Sequence, residues 1–184
     1  MGFRYQLKLY VLSTASNVRT HIRGRLEANE SLKVLLEKEA RKLLWLFDDQ
    51  DERLLMYAGK HTTRMALEEA TSRLIYDVAP ILAIARARGV FVRCDLYFSD
   101  TTITNAFKSG AINKWKQTGF KRRSGGQPLE HGDYWAMLHK LVNDLRVVIC
   151  DNPFDDPTMQ RYHDELKAEY RNIVKQLKRK LKGT

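Results

Sequence analysis

The sequence predicts a mixed α/β domain, on three observations. Residues 3–11 and 90–98 alternate apolar and polar side chains with a period of two. Residues 32–43, 65–82 and 166–181 carry apolar residues at helical spacing. The two kinds of segment follow one another along the chain, the pattern of a sheet covered by helices. With 184 residues, no internal repeat and no low-complexity linker, the chain is expected to be one domain, 1–184, with one sizeable core.

In "FRYQLKLYVL", Phe3, Tyr5, Leu7, Leu9 and Val11 alternate with Arg4, Gln6 and Lys8, as in a half-buried strand. After "STASN" the period changes. Leu32, Leu35, Leu36, Ala40 and Leu43 predict a helix capped by Asn29 or Ser31, and residues 15–40 are expected to be a helical insertion. "LLWLF" and "RLLMYAG", separated by "DDQDE", predict a hairpin. "TTRMALEEATSRLIYDVAPILAIARARG" predicts a helix capped by Thr62 or Thr63 and kinked or ended by Pro80. "VFVRCDLYF" is the clearest strand, with Val90, Val92, Cys94, Leu96 and Phe98 on one face. Helical pieces follow at 101–109, 111–117 and 131–144. "LRVVIC" has the continuous apolar character of a central strand, "DNPFDDP" is a loop, and 158–184 is a long basic helix.

The charge narrows the function. Against 22 Asp+Glu the chain carries 32 Lys+Arg, a formal charge of +10, which favours polyanionic partners. The cations concentrate in 108–135. No acid lies between Asp100 and Glu130, while Lys108, Lys114, Lys116, Lys121, Arg122 and Arg123 crowd around Trp115 and Phe120. Cations interleaved with rings suit phosphates beside sugars and bases. Trp135 falls in a stripe with Leu138 and Leu141 and is expected to be core. Cys94 and Cys150 sit in apolar runs, as buried thiols do. No apolar run approaches the roughly 18 residues of a membrane span and the N-terminus has no signal-peptide core, so a soluble, cytoplasmic chain without a membrane partner is expected.

The order of several motifs resembles the type-I ribonuclease H family, from about residue 42 to about residue 170. "TTRMALEEA" stands where that family's helix begins, "YFSDT" where a strand ends in an acid, and "INKWKQTGF", "SGGQP" and "GDYWAML" follow the order of its basic handle. "YHDELKAEY" stands where the last helix begins. The resemblance implies a mixed five-stranded sheet flanked by helices, and an RNA–DNA hybrid or structured RNA as ligand. It also implies two-metal hydrolysis with Mg²⁺ or Mn²⁺ held by about four carboxylates.

Position by position, the carboxylates thin out. Asp100 and Asp164 match the acid ending a strand and the acid opening the last helix. The first-strand acid falls at Leu12 or Ser13, with no carboxylate before Glu27, and the helix glutamate falls at Ala66. Glu69, three residues on, is the nearest substitute. The family's histidine loop is replaced by "DNPFDDP", whose Asp151, Asp155 and Asp156 suit a solvated turn. His21, His61, His131, His139 and His163 show no ligand spacing. A neutral residue in place of the first-strand acid costs several kcal/mol of transition-state stabilisation. The expectation is a nucleic-acid-binding ribonuclease H-like pseudo-nuclease. The alternative is an active Mg²⁺-dependent endonuclease rebuilt on Glu69, Asp100 and Asp164. A protein partner docking on the 29–45 helix or the C-terminal helix is the third expectation.

Overall fold

The computed structural model describes residues 2–16, 19–48, 55–58 (backbone only), 61–121 and 129–183. Strands β1 (Gln6–Ala15), β2 (Arg19–Ala28), β3 (Leu55–Ala58), β4 (Arg93–Phe98) and β5 (Val148–Ile149) form one sheet in the order β3-β2-β1-β4-β5. β1 runs antiparallel to β2 and parallel to β4, β2 antiparallel to β3, and β4 parallel to β5. This is a mixed five-stranded sheet, and helices cover both faces.

The alternation of β1 explains the two layers. Leu7, Leu9 and Val11 face one side and enter the main core with Ile22, Leu96 and Phe98. Tyr10 and Leu12 face the other and meet Tyr97, Met159, Tyr162 and Leu166. On the first side lie α1 (Glu30–Glu39), α2 (Thr62–Arg73), α3 (Ala79–Ala87), α4 (Thr101–Lys108), α5 (Ala111–Gln117) and α6 (Gly132–Asp144). On the second side, among the described residues, lies α7 (Pro157–Lys182). α2 runs into α3 through a π-helical turn, Leu74–Val78, immediately before Pro80. The proline therefore stays within a continuous helical run, at the first turn of α3.

Three expectations are corrected. Residues 15–40 are not one helical insertion: Arg19–Ala28 is β2, and the helix, capped by the Asn29 side chain, is confined to Glu30–Glu39. The alternation of Thr20, Ile22 and Leu26 with His21, Arg23, Arg25 and Glu27 carries that strand, but its polar face is covered by α7 and so holds charges inside. "LLWLF" belongs to a 3-10 helix, Arg41–Phe47, rather than a strand; β3 pairs with β2, and the rest of that hairpin lies outside the described residues. The segment "LRVVIC" is not central: β5 is two residues long and forms the sheet edge.

α7 is fastened at its start by one side chain. Asp156 caps it by accepting from the Thr158 amide at 2.8 Å, and also accepts from Lys8 Nζ at 3.0 Å and from the Tyr10 hydroxyl at 3.1 Å. Those partners hold its carboxyl below the ordinary range against the opposing effect of burial. Asp156→Ala removes a cap, an ion pair and the partner of a buried hydroxyl, and is expected to lower stability by about 2–4 kcal/mol in urea denaturation. Asp156→Asn keeps the cap and should lose less. Equal losses in the two variants would contradict the assignment.

Candidate functional site

Asp100 closes β4 and caps α4. Its Oδ1 accepts from the amides of Thr102 at 2.8 Å and Ile103 at 3.2 Å, and its Oδ2 accepts from the Thr63 hydroxyl at 2.9 Å. The acid is half-buried, and three donors already occupy its oxygens. On β1 the neighbouring position is Ser13, on the face of Leu7, Leu9 and Val11, while Leu12 is buried under α7. The Ser13 amide donates to Ser99 Oγ at 2.8 Å, and the two hydroxyls lie 3.2 Å apart. A neutral serine pair thus stands beside Asp100.

The other two acids have partners of their own. Asp164 does not open the last helix: α7 begins at Pro157 under the Asp156 cap, so Asp164 lies two turns inside, exposed, accepting from Gln160 at 3.0 Å. The adjacent His163 ring lies close to the Ser13 backbone. Glu69 is turned into the domain. Its Oε1 accepts from Arg73 Nε at 2.9 Å, Arg73 Nη1 donates to Asp77 Oδ2 at 3.0 Å, and Nη2 donates to the Gly24 carbonyl at 3.0 Å. All three charged side chains are buried. Gly24 is required there, because a Cβ would stand 2.6 Å from Glu69 Oε1. Ala66 is core, and Glu68 faces solvent.

This donor set does not fit a pair of Mg²⁺ ions. Hard divalent cations want several converging carboxylate oxygens, whereas the serines are neutral and Glu69 is matched by a guanidinium. Among the described residues no group of three His, Cys, Asp or Glu side chains is arranged to hold a metal. A cleft of about 300 Å³ does open next to Asp100, between α4 and the 151–155 loop, lined by Ser99, Thr101, Lys108, Asp151, Asn152 and Asp155. Lys108 spans it to Asn152 Oδ1 at 3.1 Å.

The basic handle is the other feature of this side. α4, a left-handed Gly110 and α5 turn sharply, and Lys108, Lys114, Lys116 and Lys121 all stand exposed. Trp115 does not stand among them as a free platform. Its ring is half-buried and lies edge-on to Trp135, centroids 5.2 Å apart, on the rim of the main core. Lys114 and Lys116 flank it and point outward, as their spacing on the helix requires. Trp135 is buried, as its stripe predicts. Arg122, Arg123 and "SGGQP" lie outside the described residues.

One buried group was not legible as special. His21 is fully buried between β2 and α7, edge-on to Tyr170 at 4.7 Å, and neither ring nitrogen has a hydrogen-bond partner among the described residues. Burial lowers its pKa, and Arg19 and Arg23 lower it further against the pull of Glu169. His139 and His163 are also held low, by burial first and then by Lys116 and Lys167 respectively. Cys94 and Cys150 are free, and burial pushes the Cys94 thiol up to about 12, so it is inert.

The three histidines give the fold a pH dependence. Each binds a proton less readily when folded than when unfolded, so the unfolded chain gains protons first as pH falls below about 6.5. The thermal midpoint should hold above pH 7 and fall toward pH 5, less so in His21→Phe. A midpoint that rises on acidification over that window would contradict the burial of His21.

No family model matches the chain. It is similar to two proteins named ribonuclease H, from Thermoanaerobacter sp. (strain X514) and Thermoanaerobacter pseudethanolicus (strain ATCC 33223 / 39E). Each is 24% identical over 94 residues, 51% of this chain and 60% of theirs. The chain therefore spans less than two thirds of the length of the curated relatives it matches. Among solved structures, a foamy viral protease-reverse transcriptase with an RNA/DNA hybrid aligns with a TM-score of 0.45 and 12% identity, over 88% of this chain and 19% of that one. The foamy viral protease-reverse transcriptase with dsDNA aligns at 0.41 and 11%, over 80% of each chain. Among the described residues no helix is long and apolar enough to cross a membrane.

Proposed function

We propose that this ribonuclease H-like chain binds an RNA–DNA hybrid or structured RNA through its handle and does not hydrolyse it by the two-metal route. The observation that carries the reading is the handle: Lys108, Lys114, Lys116 and Lys121 stand exposed on one acid-free segment. Exposed lysines neutralise phosphates and carry no base information. The partial likeness to two ribonucleases H supports a hybrid as the ligand class.

The alternative, a divalent-metal endonuclease using Asp100, Asp164 and Glu69, would need Glu69 to leave Arg73 and expose a buried cation. It would also need a substitute for the negative charge missing at Ser13. Asp100 beside the 300 Å³ cleft is the feature that favours it. The test is titration of a labelled RNA–DNA hybrid across salt concentrations. Saturable binding that weakens linearly in log–log form with salt is expected; binding insensitive to salt would overturn the reading.

A further inference from the structure

The cations of α7 occupy a different part of the molecule from those of the handle. α7 starts over β1, where Asp156 meets Lys8 and Tyr10, and crosses toward β2. Glu165 there pairs with Arg25 at 3.4 Å and Glu169 with Arg23 at 2.8 Å. Tyr170 on this helix packs edge-on against His21, where β2 meets β3. Beyond it lie residues 171–182, about 18 Å of helix at 1.5 Å per residue, without any acid. At about 100° per residue, Ile173, Leu177 and Leu181 continue the sheet-facing stripe of Met159, Tyr162 and Leu166. Arg171, Lys175, Lys178, Arg179 and Lys182 fall on the opposite arc, and all are exposed.

The handle lies across the sheet. Ile112 belongs to the main core and Trp115 packs on it, whereas α7 covers the second face. The handle is also at the other edge: α4 leaves from β4, and Lys108 reaches Asn152 just beyond β5. A short duplex is a stiff rod, since duplex DNA bends smoothly only over about 50 nm. One short duplex cannot follow both surfaces.

We propose that the outer face of the end of α7 is a second phosphate-binding surface, which holds a nucleic-acid segment separate from the one on the handle, so that one molecule bridges two. This rests on the handle being a nucleic-acid surface. Ridge-like arrays of cations take phosphates without reading sequence, so the second segment need not match the first.

The experiment uses two 12-base-pair RNA–DNA hybrids, one fixed to beads and one fluorescent, with the full chain between them. The chain is expected to retain the fluorescent hybrid on the beads. The variant Arg171→Gln, Lys175→Gln, Lys178→Gln, Arg179→Gln, Lys182→Gln should lose that retention by at least tenfold. It should still bind a single hybrid within about threefold of the parent when measured at low ionic strength, because the handle is intact. Its melting curve should match the parent's, since the changed residues are exposed. A parent that binds one hybrid but retains no second, or a variant that bridges as well as the parent, would overturn the inference while leaving the handle's role standing. A parent that binds neither hybrid would overturn the function proposed above.

Discussion

Arg73→Met should lower the free energy of unfolding by about 3–5 kcal/mol. Arg73 is 3% exposed, and its guanidinium serves Glu69, Asp77 and the Gly24 carbonyl at once. Methionine fills similar volume but leaves two buried carboxylates facing each other with no cation between them. They will take up protons, so the loss should shrink as pH falls toward 5. Adding Glu69→Gln and Asp77→Asn to Arg73→Met should recover a large part of the loss, because like charges then no longer face one another. The measurement is urea denaturation of the single and triple variants at pH 7 and pH 5. A single-variant loss below about 1 kcal/mol would mean that Glu69 has other partners and is available to the Asp100 cleft.

Replacing Lys114, Lys116 and Lys121 together by alanine should weaken hybrid binding about 100-fold. A surface cation a few ångströms from a phosphate is worth about 1 kcal/mol, and three such contacts are lost. The log–log salt slope should flatten by about one unit for each lysine, and the loss should be uniform across sequences. Folding should be untouched, since all three side chains are exposed. Trp115→Ala separates the two roles of this segment: its ring packs on Trp135, so it should cost stability rather than alter the salt slope. Unchanged affinity and slope in the triple variant would remove the handle from the binding surface.

Where one physical rule dominated, the sequence was legible. The period-two run of "VFVRCDLYF" and the stripe of Trp135, Leu138 and Leu141 mark their elements, although the strand is shorter than the run, Arg93–Phe98, and its second face is partly covered through Tyr97. β2 escaped because α7 buries its charged face: Arg23 and Arg25 look solvated in sequence and are paired with glutamates from 140 residues downstream and more. The 3-10 helix Arg41–Phe47 escaped because a short apolar run does not distinguish helix from strand. Asp100 was legible at its strand end, since strand, acid and helix cap are contiguous. Asp164 and Glu69 were not, because their roles depend on where α7 begins and on which way α2 turns its acids. A Pro preceded by Asp, at 156 and 157, is the stronger helix start and points to the true beginning of α7. The Glu69, Arg73 and Asp77 spacing of four marks an ion-pair ladder and could have reassigned Glu69.

The central claim is that this chain holds a hybrid without cutting it by metal hydrolysis, and one assay bears on it most directly. A labelled RNA–DNA hybrid is incubated at saturating protein in Mg²⁺ and in Mn²⁺, with the bound fraction and the RNA strand length read from the same sample, for the parent and for Asp100→Asn. The expected result is full binding, intact RNA in both metals, and no difference between the two proteins. RNA cleaved by the parent in either metal and spared by Asp100→Asn would contradict the claim.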